Sequence, residues 1–311
     1  MLLDAQFEAL TKWLGERDAA VGSLIAIVPA GTSRLGQALV RCAARRRGWK
    51  DAQVVPRPLA AAMSWVNDFA AEGGVVIEAS REAIEVHWID QSGASFQEFR
   101  HVRSERAPDL GLALDSLRWR ELGTSELPWV GLGNAGEPWL AAVTQAVGRP
   151  PAGRGRPEWA AVDGLLAAFR WLALDRERRL DLETEGALSL ADGGGGSFEL
   201  LPARAIPRRP AERATKRQVV RAVGEPVEPT PLGFFWGPSG AKSGLVPVGG
   251  VPAVVPGVDD RVVALRFRLE RTPRGQLRGT VTAGDGPAHR MSFPQTRLRL
   301  FDPWSQKEMT S

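Results

Sequence analysis

The sequence has few of the residues that covalent cross-links and metal centres require. Its 311 residues include one cysteine and three histidines, which excludes an intramolecular disulfide and a structural zinc site. It has no uncharged apolar run of about 18 residues, the length that a membrane helix needs. Its acidic start, MLLDAQFEALTKWLGERD, lacks the features of a secretory signal. We therefore expect a cytoplasmic protein without a metal, a disulfide or a membrane segment.

The composition supports a packed core. Hydrophobic residues make up 43% of the chain, which also has 34 glycines and 23 prolines. These proportions exclude a disordered or collagen-like chain and fit one large domain or two ordinary ones. Most of the 11 tryptophans fall in apolar helix or strand patterns, so core packing is favoured over stacking on bases or sugars.

The surplus of positive charge is concentrated in one segment. The formal net charge of the chain is +4. Residues 203–221 alone carry seven basic residues against the single acidic residue Glu212. The remainder of the chain is close to neutral, so the charge predicts a local basic patch, the kind of feature that polyanions bind.

Helix and strand patterns alternate over the first half. An apolar run at residues 23–28 predicts a strand. A stripe that includes Leu39 and Cys42 predicts a helix over about 33–46 with Cys42 in the core. A third helix begins at Pro58. Three strand-like segments follow and predict an antiparallel meander: 75–78, 84–90 and 95–102.

The first half ends in helices, and the second half is rich in strand patterns. The remaining elements of the first half are a strand at 127–131 and helices at 110–120, 138–147 and 158–174. The last helix has an apolar face that predicts burial: Trp159, Val162, Leu165, Leu166, Phe169 and Leu172. From Leu180 onward, short β-type runs predict a second, all-β domain, whose clearest hairpin joins 262–269 to 276–282.

An ungapped series of motifs runs through the first strands and helices. It consists of Val28-Pro29-Ala30, then 17 residues, then Gly48-Trp49, and finally Arg57-Pro58 followed by LAAAMSW. This series resembles the VPA, helix, GL, strand and NEPTAAALAY stretch of the 70-kilodalton heat-shock chaperones of the DnaK type. The resemblance implies an α/β, actin-like (ribonuclease H-like) nucleotide domain, here degenerate and truncated.

Further segments resemble the parts of that family that contact nucleotide. Residues 76–89 resemble its phosphate-binding hairpin, FDLGGGTFDVSIL, and residues 128–147 and 156–168 resemble its adenosine-motif strand and the helices that follow. The resemblance implies a remnant phosphate hairpin at Glu78, Ser80 and Arg81. It implies a remnant adenosine side at Gly131, Gly133, Asn134 and Gly136.

The second half resembles the β-sandwich substrate domain of the same family. Residues 205–207, 224–225, 232–235 and 262–282 fall where that domain has its IP, GE, LG-F and FDID-NGIL-V elements. The resemblance predicts polypeptide contacts at Leu232, Phe234, Phe235 and Trp236. The predicted boundaries are a partial first-lobe subdomain at 1–72, a second-lobe subdomain without its usual insertion at 73–175, a linker at 176–182, a β-sandwich at 183–303 and a tail at 304–311.

The residues that carry the chemistry of the family are replaced. The three hairpin glycines are absent, and the carboxylate of Glu82 close to a phosphate costs about 4 kcal/mol at an effective dielectric near 20. Arg57 stands where the family has the glutamate that organises the hydrolytic water, and a guanidinium cannot act as a base. The family's first phosphate hairpin and catalytic lysine would lie before Met1. We expect no catalytic residue, no ATP hydrolysis by this chain alone, and ATP or ADP only if a partner completes the site.

Two other motifs can be explained by a purely structural role as well as by a functional one. Residues 131–136 fit the pattern G-x-G-x-x-G. A tight turn is favoured there, and a residual adenine pocket and a Rossmann site remain alternatives. His87 and His101 lie on adjacent strand patterns, where a satisfied sheet histidine is favoured over a catalytic one.

The predicted function is that of a DnaK-like chaperone relative without ATPase activity, which binds a polypeptide or a partner protein through its β-domain. One alternative is half of a split ATP-binding chaperone that a second protein, supplying the missing lobe, completes. Another is a nucleic-acid or anionic-surface binder that uses residues 203–221, with nucleic acid the less expected partner.

Overall fold

The computed structural model divides the chain into two compact units, residues 1–183 with 298–311 and residues 184–297. It describes the following residues: 6, 8–12, 23–30, 32–49, 51–67, 73–80, 84–93, 96–109, 111–112, 128–133, 137–152, 156–175, 177–191, 197–209, 211–221, 231–237, 245–252, 262–273, 276–294 and 297–300. The first unit mixes helices and strands, and the second consists of strands and one short helical turn.

The first unit begins with a β-α-β arrangement. Strands β1 (Ser23–Val28) and β2 (Asp51–Pro56) are parallel neighbours, and helix α1 (Arg34–Arg46) connects them. The Ser33 hydroxyl accepts a hydrogen bond from the Gly36 amide at 3.0 Å, which caps the start of α1. Helix α2 (Arg57–Ala62) follows β2 directly, with proline in its first turn.

Helix α1 buries a different stripe from the one predicted. Val40, Ala43 and Ala44 pack against the first strands, whereas Leu39 is 49% exposed and Cys42 is also exposed. The prediction of a core cysteine is therefore wrong. The small side chains at 43 and 44 let the helix approach the strands closely, and the larger side chains on the other stripe then face outward.

A six-stranded sheet forms the centre of the first unit. Its first members are β3 (Gly73–Ala79), β4 (Ile84–Ser92), β5 (Phe96–Ala107) and β6 (Trp129–Gly133). Strands β3, β4 and β5 form an antiparallel meander, and β6 lies parallel to β3. The predicted meander is confirmed, because period-two alternation and short turns are local signals.

Helices pack on both faces of this sheet. Helices α2 and α4 (Ala160–Ala173) share a hydrophobic core with one face, through residues such as Val76 and Val130, and α3 (Glu137–Val147) lies against the other face through Trp139 and Val143. The predicted buried face of the last helix is partly wrong, since Trp159 is 61% exposed while Ala168 and Trp171 are enclosed.

The predicted linker contributes a strand to the same sheet. Residues 179–182 of the predicted linker, 176–182, belong to β7 (Arg179–Thr184), which lies beside β5, and Leu180 and Leu182 are buried in the core. After the second unit the chain returns as β16 (Arg297–Leu300), the outer neighbour of β7. The acidic residues of this segment favoured the prediction of an exposed linker. Asp181 is nevertheless buried, because its charge is balanced by Arg299, which lies 2.9 Å away in space and far away in sequence.

The second unit is an all-β structure of two four-stranded sheets. One has the order β12-β11-β8-β9 and the other β10-β13-β14-β15. The strands are β8 (Ala187–Ala191), β9 (Ser197–Leu201), β10 (Arg213–Arg221), β11 (Leu232–Gly237), β12 (Val246–Val251), β13 (Val262–Arg271), β14 (Leu277–Ala283) and β15 (Ala288–Ser292). A single core takes residues from both sheets, among them Phe234 and Phe267, whose rings meet edge to face at 5.5 Å. The predicted hairpin of β13 and β14 is confirmed.

Helix α4 approaches α2 so closely that only glycine fits at position 164. A Cβ atom added there would collide with the carbonyl oxygen of Ala60. We predict that Gly164→Ala destabilises the first unit by roughly 1–3 kcal/mol through overpacking, although alanine favours a helix by about 1 kcal/mol. Urea denaturation measures the free energy of unfolding.

The matched control is Gly36→Ala in α1. Its added Cβ would meet the end of the Thr32 side chain at 3.0 Å, which can move, and would lie in ordinary contact with Ser33 Oγ at 3.4 Å. If Gly164→Ala left the urea midpoint of unfolding unchanged or raised it, that result would contradict the close contact between α4 and α2.

Candidate functional site

An ion pair joins the start of α2 to the end of β3. The Arg57 guanidinium donates a hydrogen bond from Nη1 to Glu78 Oε1 at 2.7 Å. The Arg57 side chain is 39% exposed and the Glu78 side chain is 19% exposed. Arg57 is placed because α2 begins directly after β2, and Glu78 is placed because alternation along β3 turns its side chain to the face that α2 covers.

His87 extends this pair into the interior of the sheet. Its side chain is 1% exposed, and Nε2 lies 3.6 Å from Glu78 Oε2 and 3.9 Å from Glu85 Oε2. On the other side of the ring, Nδ1 lies 2.8 Å from Ser104 Oγ. His87 therefore lies between a paired carboxylate and a hydroxyl group.

A β-bulge adds a second histidine. The register of β4 and β5 shifts between Trp88 and Ile89, which pair with Arg103 and His101, so one residue of β5 is left unpaired. This shift puts His101 and Ser104 on one face of the strand. His101 Nε2 lies 3.0 Å from Ser104 Oγ, and the two imidazole rings meet edge to face at 5.1 Å.

Together these residues form what we call the polar cluster: Arg57, Glu78, His87, Ser104 and His101. Burial raises the pKa of Glu78, but the neighbouring His87 and Arg57 outweigh it and leave the pKa below its ordinary value. Burial, reinforced by the nearby His87, holds the pKa of His101 well below its ordinary value, so this imidazole is neutral.

The polar cluster has a hydroxyl, an imidazole and a carboxylate in series, the order found in serine hydrolases. Ser104 is 8% exposed and lies between two imidazoles. Its oxygen donates to one ring and accepts from the other, which leaves no approach for an acyl group. The cluster is therefore suited to holding three strands together and not to nucleophilic attack.

The predicted phosphate hairpin is occupied by this network. Glu78 is engaged with Arg57, and Ser80 is exposed at the end of β3. Arg81 lies outside the described residues.

The predicted adenosine side has glycines with structural roles. A Cβ atom on Gly131 would strike Leu140 of α3 at 2.5 Å, and one on Gly133 would collide with the Ala79 carbonyl oxygen. Gly133 also has a φ of +113°, which glycine adopts readily. Both glycines are thus required by packing of β6 against α3 and β3. Asn134 and Gly136 lie outside the described residues.

A small pocket lies beside this strand. Its lining includes Val130 and Gly131 of β6, Leu140 of α3, and Ala160 and Asp163 of α4. The lining is largely apolar, with Asp163 its acidic member. Among the described lining residues the charge is negative, which disfavours a phosphate group.

The predicted polypeptide contacts divide between core and surface. Phe234 is fully buried and Trp236 is 2% exposed, with its ring 5.0 Å from that of Phe293. These two are core residues and cannot contact a partner, which corrects the prediction. Alternation along β11 turns Phe235 away from the core, and Leu232 and Phe235 are partly exposed.

Comparisons with known proteins provide no relative. No protein-family model matches the chain, and no curated protein matches its sequence. Within the described ranges, no helix is long and apolar enough to cross a membrane. Among the same residues, no group of three or more His, Cys, Asp and Glu side chains is arranged to hold a metal ion.

Sequence reasoning placed His87 and His101 in the sheet but missed the polar cluster. Alternation along β4 could have put Glu85 and His87 on one face, and hairpin pairing could have put Glu78 opposite Glu85. The contact of Ser104 with both histidines depends on the bulge, and no residue pattern in the sequence marks its position.

His101 gives the first unit a dependence on pH. Its pKa is depressed in the folded chain, so below the ordinary value of 6.5 the unfolded chain binds a proton that the folded chain does not. The free energy of unfolding then decreases as the pH falls below that value, by up to about 1.4 kcal/mol per pH unit. We predict that His101→Gln flattens this decrease, as measured by urea denaturation between neutral pH and the pH of acetate buffers.

The control substitution is His289→Gln in the second unit, which makes the same chemical change outside the polar cluster. If both variants changed the slope of unfolding free energy against pH equally, the neutral state of His101 would not be the cause of the pH dependence.

Proposed function

We propose that the first unit is a remnant of an actin-like nucleotide domain that no longer hydrolyses ATP, and that the protein is a DnaK-like chaperone relative that binds polypeptide. The sheet order β5-β4-β3-β6, with an antiparallel meander followed by a parallel strand and helices on both faces, supports the fold part of this proposal. It agrees with a ribonuclease H-like arrangement.

The observation that carries the proposal is the ion pair of Arg57 and Glu78. The resemblance puts at position 57 the glutamate that organises the family's hydrolytic water, and it puts position 78 within the phosphate-binding hairpin, residues 76–89. In this protein these two positions bind each other at 2.7 Å. A guanidinium cannot activate water, and a carboxylate that is paired with Arg57 and backed by buried His87 offers no hydrogen-bond donor to a phosphate group, which supports the proposal that hydrolysis is lost.

The first experiment is calorimetric titration of the full chain with Mg-ATP and Mg-ADP. We predict no heat of binding up to millimolar nucleotide and no phosphate release. Glu78→Gln, which removes the carboxylate charge, is the informative variant, because it lowers repulsion of phosphate without restoring a base. Micromolar binding by the wild-type chain would contradict the proposal that the site is lost.

The surface proposed for polypeptide is the sheet β12-β11-β8-β9. Its partly exposed Phe235 lies opposite Pro247 of β12 and Ser189 of β8. On the edge strand β9, Phe198 is 44% exposed, and it lies in the cross-strand row of Leu190 and Phe234, on the other side of the sheet from Phe235. An exposed aromatic side chain beside a strand edge suits an extended segment, which gains backbone hydrogen bonds and an apolar contact.

We predict that the chain binds a permanently unfolded protein, reduced and carboxymethylated α-lactalbumin, with an affinity that ATP does not change. Phe198→Ser with Phe235→Ser removes two aromatic contacts and weakens binding about tenfold or more. Fluorescence anisotropy of the labelled unfolded protein measures the affinity.

The matched control is Val219→Ser, which removes an apolar side chain, 65% exposed, from the other sheet. Loss of binding in the control, or none in the double variant, would contradict the proposed surface.

A second candidate function is half of a split ATP-binding chaperone. The observation in its favour is the two-stranded parallel sheet β1-β2, which has no further strand on either side among the described residues. Parallel sheets are normally larger and covered. Repeating the calorimetric titration with any protein encoded beside this one tests it, since nucleotide binding by the mixture alone would favour the split chaperone.

A further inference from the structure

The outward face of the sheet β10-β13-β14-β15 carries a concentration of arginines. Strand pairing arranges them in three adjacent rows across the sheet. The rows are Arg217, Arg266, Thr282 and Ala288, then Thr215, Arg268, Thr280 and Arg290, and then Arg213, Glu270, Arg278 and Ser292. We call these three rows the arginine face.

The arginine face has little negative charge. Its six arginines are exposed, and Glu270 is its one acidic residue, bound to Arg213 at 3.3 Å. In the first unit several arginines meet carboxylates, as Arg57 meets Glu78 and Arg299 meets Asp181. The arginine face therefore has a net positive charge that no described carboxylate of its sheet balances.

The placement of these charges works against stability. Arg217 and Arg266 are direct cross-strand neighbours, a position in which like charges destabilise a sheet. A counter-charge from outside the chain would remove this repulsion. Guanidinium groups separated by the hydroxyl groups of Thr215, Thr280 and Thr282 offer the donors that phosphate groups accept.

The folded structure also divides the basic segment that the sequence indicated. Arg213 and Arg217 lie on the arginine face, but Lys216 alternates to the other side of β10, and Arg208 is bound to Glu185 at 3.0 Å. The face combines four strands, so its charge is not visible as a run in the sequence.

We propose that the arginine face binds the phosphate backbone of a nucleic acid without reading its bases. Phenylalanine and tryptophan do not occur among the residues of the three rows, so the face has no platform on which bases could stack. This site is separate from the proposed polypeptide surface and does not depend on the chaperone proposal.

Other anionic partners fit the face less well. An acidic peptide that adds a strand needs a free sheet edge, whereas these charges lie on the face. An anionic membrane favours apolar side chains beside the basic ones, and the exposed apolar Val219 and Val262 lie beyond the three rows at one end. A phosphodiester chain can be bound by side chains alone, through the guanidinium and hydroxyl groups of the arginine face.

The test is fluorescence anisotropy of the full chain with short, labelled, mixed-sequence single-stranded RNA, single-stranded DNA and duplex DNA over a range of salt concentrations. The variant carries Arg217→Gln, Arg268→Gln and Arg290→Gln, one substitution on each of β10, β13 and β15. We expect affinity to fall roughly tenfold or more, and the slope of log affinity against log salt to decrease by about 2 for single strands.

The matched control carries Arg204→Gln, Arg209→Gln and Lys216→Gln. It removes the same charge from exposed positions of the 203–221 segment that lie off the face, and it should bind as the wild type does. Circular dichroism verifies that both variants are folded. Equal loss in the two variants would overturn the proposal, since only net charge would then matter.

Two other outcomes would also overturn it. One is that the wild-type chain fails to bind any of the three oligonucleotides at physiological salt. The other is that it binds polyglutamate or phosphatidylglycerol vesicles more tightly than the oligonucleotides, which would assign the face to a peptide or a membrane. A strong preference for one base sequence would contradict recognition through phosphate alone.

Discussion

The contact between Arg57 and Glu78 is the interaction on which the polar interior of the first unit depends. Glu78 lies directly opposite Glu85 on the neighbouring strand, and two carboxylates in that position repel each other. The guanidinium balances this charge from the start of α2. His87 can then be buried with its Nε2 3.6 Å from Glu78 Oε2, and hydrogen bonds through Ser104 connect His87 to His101 on the next strand.

Arginine side chains have two different roles in this protein. In the first unit arginine side chains satisfy carboxylates that the sheet buries or half-buries, such as Glu78 and Asp181. A buried carboxylate without a partner would be costly. In the second unit, β13 turns Arg266 and Arg268 outward and places Leu265 and Phe267 in the core. The same residue type thus supports folding in one unit and leaves charge available to a ligand in the other.

Local patterns predicted local structure well. The meander of β3 to β5 and the hairpin of β13 and β14 follow from alternation and turns within a short stretch. The strand at residues 179–184 was harder to predict from the sequence, because its place in the sheet depends on distant partners such as Arg299. The buried stripe of α1 was predicted wrongly, since either of two apolar stripes could have faced the strands, and the smaller side chains allowed closer packing.

The residue types of the candidate site could be read from the sequence, but the contacts between those residues could not. The arginine at position 57 and the glutamate at position 78 can be read directly from the sequence. That Arg57 and Glu78 meet in one ion pair requires the fold. The bulge between Trp88 and Ile89, which brings His101 to Ser104, is a product of tertiary packing and has no glycine or proline to announce it.

The sandwich of the second unit separates its two proposed binding surfaces. Phe235 and the arginines of β13 lie on the outward faces of different sheets, and the shared core of Phe234, Phe267 and their neighbours lies between those sheets. Packed sheets are about 10 Å apart, so a segment bound to one face does not obstruct the other. If both proposals hold, a polypeptide and a phosphate polymer can be bound at once, and the shared core, in which Phe234 of one sheet contacts Phe267 of the other, is the connection between the two surfaces.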